Sequence, residues 1–146
     1  MSNDIQQIVT ASISGAESFQ NQFFKALDDF RQNLPKFLLP DSAIVWNGTP
    51  IGGKDAFLEM YSRMPTTAHT VTSFDVHPVP SPSSTTNGPQ FILNSSGKVK
   101  IGTERGKNVM TFSAVFVLKQ DAQKLVYVSS MSYRLVHKPD DATLIM

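Results

Sequence analysis

The sequence predicts an α+β fold, with two helices first and a run of strands after them. Three observations predict it. Apolar residues recur at helical spacing from Ile5 to Phe30, and again over Lys54–Met64. From Thr67 onward, four segments show the period-two alternation of strands. Helical spacing does not return after Met64, so the strands are consecutive. They are expected to pair as antiparallel hairpins in one curved sheet wrapped around the helices.

The first helix carries Ile5, Ile8, Ala16, Phe19, Phe23, Leu27 and Phe30 on one stripe, interrupted by Ser12. Ser2 fits the N-cap and Asp4 the positive first turn. Gly15 costs about 1 kcal/mol against alanine, so contacts elsewhere must hold the helix there. Asn33-Leu34-Pro35 ends it. A short apolar link (Phe37, Leu38, Leu39) leads to a brief strand, Ala43-Ile44-Val45-Trp46, and Asn47-Gly48 is a strong turn signal. Gly52-Gly53 opens the second helix, which turns Phe57, Tyr61 and Met64 to one side and stops at Pro65. The strands are expected over Thr67–Val79, Phe91–Ile101, Val109–Lys119 and Leu125–Val136. Pro80–Pro89 reads as a loop, and the tail 137–146 ends apolar.

A chain of 146 residues suits one domain, 1–146, large enough to bury a core without staples. The net charge of +1 argues against a nucleic-acid binder that works by bulk electrostatics. There are no cysteines, hence no disulfide, thiolate metal site or cysteine nucleophile. Met1–Ile5 lacks the basic and apolar regions of a signal peptide. No apolar run approaches the length of a membrane span. Asn47-Gly48-Thr49 and Asn94-Ser95-Ser96 match glycosylation sequons, taken as chance matches in a chain that is not secreted.

The late strands carry the most informative pattern. Met110, Phe112, Ala114, Phe116 and Leu118 form a bulky set suited to facing helices. Between them lie Val109, Thr111, Ser113, Val115 and Val117. In the last strand Leu125, Tyr127, Met131, Tyr133 and Leu135 alternate with Val126, Val128, Ser130, Ser132, Arg134 and Val136. A solvated sheet face would show Lys, Glu and Gln at alternate positions. Here the second face offers Val, Ser and Thr with one charge, which suits a surface covered by another protein. The expected partner interface is therefore Arg134, Ser132, Ser130, Val128, Thr111, Ser113, Val115 and Val117. Arg134 is its candidate ion-pair anchor, because a planar guanidinium suits bidentate contact with a carboxylate. The plainer reading is ordinary exposed strand residues, since Thr and Val favour strands.

Five segments bear on family. They are Ala43–Gly53 with its Trp-Asn-Gly, the Met64-Pro65 helix end, Asp75-Val76-His77-Pro78-Val79, Gly97–Ile101 with Phe112–Leu118, and Tyr133–Asp141. In this order, over nearly the whole chain, they resemble the small, nuclear transport factor 2-like subunit of the heterodimeric mRNA export receptor. The last segment is similar to the fungal members, called mRNA transport regulators. The resemblance implies a cone with a curved antiparallel sheet that heterodimerises through its sheet face with the matching domain of a large export receptor. It implies that Arg134 pairs with an acidic residue of that subunit. It further implies that the pair binds Phe-Gly repeats of nucleoporins and shuttles messenger ribonucleoprotein between nucleus, pore and cytoplasm. No catalytic residue, metal or cofactor is implied. Two departures stand out: Ala114 where many relatives carry Gln, and a short Thr103–Asn108 loop where some fungal relatives carry an insertion.

Three further residue groups resemble chemical sites. Gly48–Lys54 matches G-x-x-x-x-G-K, but Asp55 replaces the magnesium-binding hydroxyl and Pro50 removes an amide, so a turn and helix start is the reading. His69, Asp75 and His77 share strand parity, yet no third ligand has supporting spacing. Lys98, Lys100, Arg105 and Lys107 form a modest basic patch, either solvated strand ends or a weak contact with RNA or a ribosomal particle. The alternative function is a small-molecule enzyme, isomerase-like or dehydratase-like, on the same cone. Tyr61, Tyr127 and Tyr133 could line its chamber, but no carboxylate falls on the strand face assigned inward.

Overall fold

The computed structural model describes residues 2–79, 90–103, 108–121, 123 and 125–136, and, within the first helix, the side chains of 6, 7, 10 and 13 onward. Helix α1 spans Ser2–Asp29 and is followed by a 3₁₀ helix, Arg31–Phe37. Strand β1 (Leu38–Trp46) and β2 (Thr49–Ile51) form a hairpin, and α2 covers Lys54–Ser62. Then come β3 (Thr67–Val79), β4 (Gln90–Ile101), β5 (Val109–Gln120) and β6 (Val126–Val136). The loop 80–89, the segment 104–107 and the tail from 137 lie outside the described residues.

One six-stranded sheet, in the order β2-β1-β6-β5-β4-β3, carries both helices on one face. The α+β cone expected from the sequence is therefore present. The expectation of a wholly antiparallel sheet fails at one seam, because β1 pairs with β6 in parallel. No hairpin joins these two strands, so no turn imposes an antiparallel sense.

The core lies between α1 and the sheet and is dense with phenylalanine. Phe19 and Phe23 both meet Phe116 edge-on, and Phe24 tilts onto Phe112. Helical periodicity explains the stripe Ala16, Phe19, Phe23 and Leu27, all buried. Phe30, placed on that stripe, instead stands 41% exposed, because α1 has already ended at Asp29. Pro35 does not terminate α1; it sits inside the 3₁₀ helix. There Leu34 and Phe37, three residues apart, stack on one side and both reach the core.

Arg31 ties the layers together. Its guanidinium donates to the carbonyls of Tyr61 (2.8 Å), Met64 (2.8 Å) and Pro65 (2.6 Å), and lies over the Tyr61 ring. A cation thus satisfies the open carbonyls at the C-terminal end of α2.

Candidate functional site

The outer face of the sheet, away from the helices, is built by strand alternation and can be read row by row from the register. One row runs Val45, Ser132, Val115, Asn94, Asp75 across β1, β6, β5, β4 and β3. The next runs Ala43, Ser130, Val117, Ile92, His77. On the other side Arg134 faces Ser113 and Ser96, and Val136 faces Thr111 and Lys98. Val45, Val115 and Val136 are each more than a third exposed. Across Ala43–Val45, Ser130–Val136 and Thr111–Val117, the outward set carries a single charge, Arg134. Among the described residues no acid pairs with it. Charge returns toward the β3–β4 side, with Lys98, Lys100 and Asp75, and at the end of β5, with Lys119.

Seven of the eight expected interface residues are outward here: Arg134, Ser132, Ser130, Thr111, Ser113, Val115 and Val117. The eighth, Val128, is a correction, since it is fully buried against the core. Val117 pairs with Ser130, but its neighbour Leu118 pairs with Val128, which leaves Ser129 as an extra residue in β6. A bulge of this kind flips the alternation beyond it. Simple parity therefore holds after Ser129 and fails before it. Leu125, assigned inward by the same parity, is 52% exposed.

A second bulge corrects the His69, Asp75, His77 reading. The register shifts between Val71 and Ser73, so Asp75 and His77 face out while His69 faces in. Lys98 and Lys100 lie on the outer face beside the interface rows, opposite Thr111 and Val109. Arg105 and Lys107 fall outside the described residues. The G-x-x-x-x-G-K match is a hairpin: Asn47 and Gly48 both have positive φ (51° and 83°) between paired Trp46 and Thr49. That is the geometry of a two-residue strand turn, followed by β2 rather than by a phosphate cradle.

Inside the cone lies a polar cluster that the strand pattern alone did not show. The Asp28 carboxylate, from the end of α1, accepts from Thr67 Oγ1 (2.8 Å), from the His69 amide (2.7 Å) and from His69 Nδ1 (2.6 Å). Tyr133 Oη lies 2.7 Å from His69 Nε2, and Tyr61 Oη lies 3.0 Å from Thr67 Oγ1. Burial pushes the Tyr61 hydroxyl up to about 12 and the Tyr133 hydroxyl far above the ordinary phenol range, so both stay protonated. His69 thus bridges the Asp28 carboxylate at Nδ1 and the Tyr133 hydroxyl at Nε2. An acid does therefore point inward, but it comes from a helix, where the strand-based expectation did not reach. Its three donors leave it engaged in structure.

A cleft of about 540 Å³ opens at the other end, between α1, the 3₁₀ helix and the start of β6. Tyr127 lines it, whereas Tyr61 and Tyr133 belong to the packed interior.

Comparison with known proteins gives the family and the fold. The family model described as "Nuclear pore RNA shuttling protein Mtr2" matches residues 3–127. The NTF2-related export protein 1 of Bos taurus is 26% identical over 122 residues, covering 82% of each chain. The C. albicans Mtr2 and Mex67 M domain complex superposes with a TM-score of 0.63 at 15% identity, covering 89% of this chain and 97% of the matched one. A Novosphingobium aromaticivorans structure assigned as a scytalone dehydratase gives a TM-score of 0.71 at 11% identity, covering 90% and 88%. The fold is thus shared by transport proteins and an enzyme alike.

Proposed function

The chain belongs to the family of the nuclear pore RNA shuttling protein Mtr2, and from that premise we propose that it is a non-catalytic, one-domain small subunit of a heterodimeric mRNA export receptor. Its partner is a large export receptor subunit, docked on the outer sheet face. One observation carries this reading. Three exposed valines and a lawn of serines and threonines surround a lone guanidinium that has no acid of its own among the described residues. Such a face is too apolar to be a usual solvated sheet surface, and too orderly in its rows to be accidental. Arg134 at its margin would meet a carboxylate of the partner bidentately.

The assembled pair binds Phe-Gly repeats of nucleoporins and shuttles through the nuclear pore with messenger ribonucleoprotein. The relative solved with Mex67 and the bovine export protein named above support the export part of that assignment. The non-catalytic reading is supported by the interior, where the inward carboxylate of Asp28 is engaged by Thr67 and His69 and ringed by packed aromatic residues. Direct RNA contact through Lys98 and Lys100 is weak and secondary, because a partner on this face would cover the row that holds Lys98.

Co-purification with a candidate large subunit tests the reading. A stable one-to-one complex is expected, and the chain alone is expected to self-associate. A lone, monodisperse monomer that ignores the large subunit would overturn it.

A further inference from the structure

We propose that the cleft between α1, the 3₁₀ helix and the start of β6 is a binding site for a small amphipathic carboxylate, an apolar chain with one anionic head. Its volume of about 540 Å³ falls within the usual range for small-molecule sites. Its floor is apolar, from Phe19, Phe37, Leu38 and Val126. Among the described residues, the charged side chains that line it are Lys36 and Lys54, both cationic, and the Asp121 carboxylate beyond the lining is engaged by Tyr127. That combination complements an acid with a hydrocarbon body.

The placement of the two ammonium groups supports this. Lys54 is the first residue of α2 and half-buried, where the helix dipole disfavours a cation. Lys36 Nζ rides over the ring of Phe37 at 5.3 Å, which draws the charge to the cleft wall. A carboxylate seated here would offset both unfavourable features of Lys54, its desolvation and its position on the dipole. The apolar chain would cover Leu125, which lines the cleft and is 52% exposed.

The cleft lies beyond the near margin of the partner face. Val126 begins β6, Ser130 lies four residues along, about 13 Å away at strand rise, and Arg134 eight residues along, about 26 Å away. Failure of one reading therefore leaves the other standing.

Calorimetric titration of the full chain with decanoate, below its micelle concentration and at low salt, is the test. One-to-one binding is expected, about tenfold or more tighter than 1-decanol, and weakened about tenfold by Lys36→Gln with Lys54→Gln. Leu125→Glu places a like charge at the exposed rim, away from the packed core, and should abolish decanoate binding while sparing decanol. Circular dichroism confirms that each variant is folded. Equal affinity for decanoate and decanol, or no binding of either, would overturn the proposal. So would unchanged decanoate affinity in the variants, or binding of an acidic, apolar peptide in its place.

Discussion

Arg134 and Gly48 share one small space: a Cβ built on Gly48 would sit 3.2 Å from Arg134 Nη2. The β1–β2 turn is stitched to β6 on either side of that arginine. The Asn47 amide donates to the Tyr133 carbonyl at 2.8 Å, and the Asn47 side-chain oxygen accepts from the Leu135 amide at 2.7 Å. The turn thus gives the guanidinium a backbone surface to lie along, and glycine leaves room for it.

Arg134→Glu should weaken heterodimer formation by about 1.5–3 kcal/mol, the scale of a charge-assisted contact reversed in sign. The domain should stay folded, since the side chain is exposed. Arg134→Lys should restore only part of the affinity, because an ammonium cannot form a fork. Affinity measured by titration against the large subunit checks the series, and an unchanged value for Arg134→Glu would remove the anchor role.

Val115 and Val128 lie on adjacent strands and belong to opposite faces. Val115→Lys should leave the unfolding free energy within about 0.5 kcal/mol of the parent while abolishing partner binding. Val128→Ala should do the reverse, costing about 2 kcal/mol of stability with little direct effect at the interface. Urea unfolding and pull-down on the same two proteins separate them. Equal behaviour would mean that the register beyond Ser129 is not bulged.

That contrast shows where legibility ends. The helix stripe through Phe19, Phe23 and Leu27, the strand bounds of β3 and β5 and the outer set Ser130–Arg134 follow from period alone. The two bulges do not, because an extra residue at Thr72 or Ser129 needs no special side chain and only shifts parity. The doublet of small polar residues in each strand, Thr72-Ser73 and Ser129-Ser130, was the available signal. Arg31 and Asp28 escaped for another reason. Each acts through contacts thirty or more residues away in sequence, and neither sits on an apolar stripe.

Asp28→Ala should cost about 3–5 kcal/mol, because it leaves the Thr67 hydroxyl and both His69 donors without their acceptor in a nearly dry interior. Asp28→Asn keeps an acceptor for some of them and should cost less. Thermal unfolding of both variants checks the order, and a neutral Asp28→Ala would show the cluster to be incidental.

Alkaline pH should expose the buried phenols. The folded value of Tyr61 is raised from 10.0 to about 12, and that of Tyr133 is raised further in the same direction, both chiefly by burial. Below pH 10 both states hold the proton and nothing changes. Above it the unfolded chain ionises first, so stability falls by about 1.4 kcal/mol per pH unit for each tyrosine. Urea midpoints from pH 8 to 12 should be flat and then drop, and Tyr61→Phe should roughly halve the slope. A flat profile to pH 12 would contradict the burial of these hydroxyls.

Gly97 is the backbone position on which the β3 bulge depends. A Cβ built there would collide with the carbonyl oxygen of Thr70 and come within 3.0 Å of the Thr72 amide nitrogen. Both atoms are backbone, so neither can swing aside as a side chain would. The strand has drawn close at this point because Thr72 is extra, and the bend it makes carries His69 inward while Asp75 and His77 stay outward. Gly97→Ala must then either push β3 off β4 or expel the bulge, which would swap the faces of every β3 residue on one side of it. The expected cost is about 4 kcal/mol or more, well above that of an ordinary strand glycine. Because His69 would lose Asp28 or Tyr133 in either case, Gly97→Ala and Asp28→Ala should be less than additive in urea unfolding. Full additivity, or a Gly97→Ala protein with unchanged stability, would show that β3 pairs with β4 without the bulge.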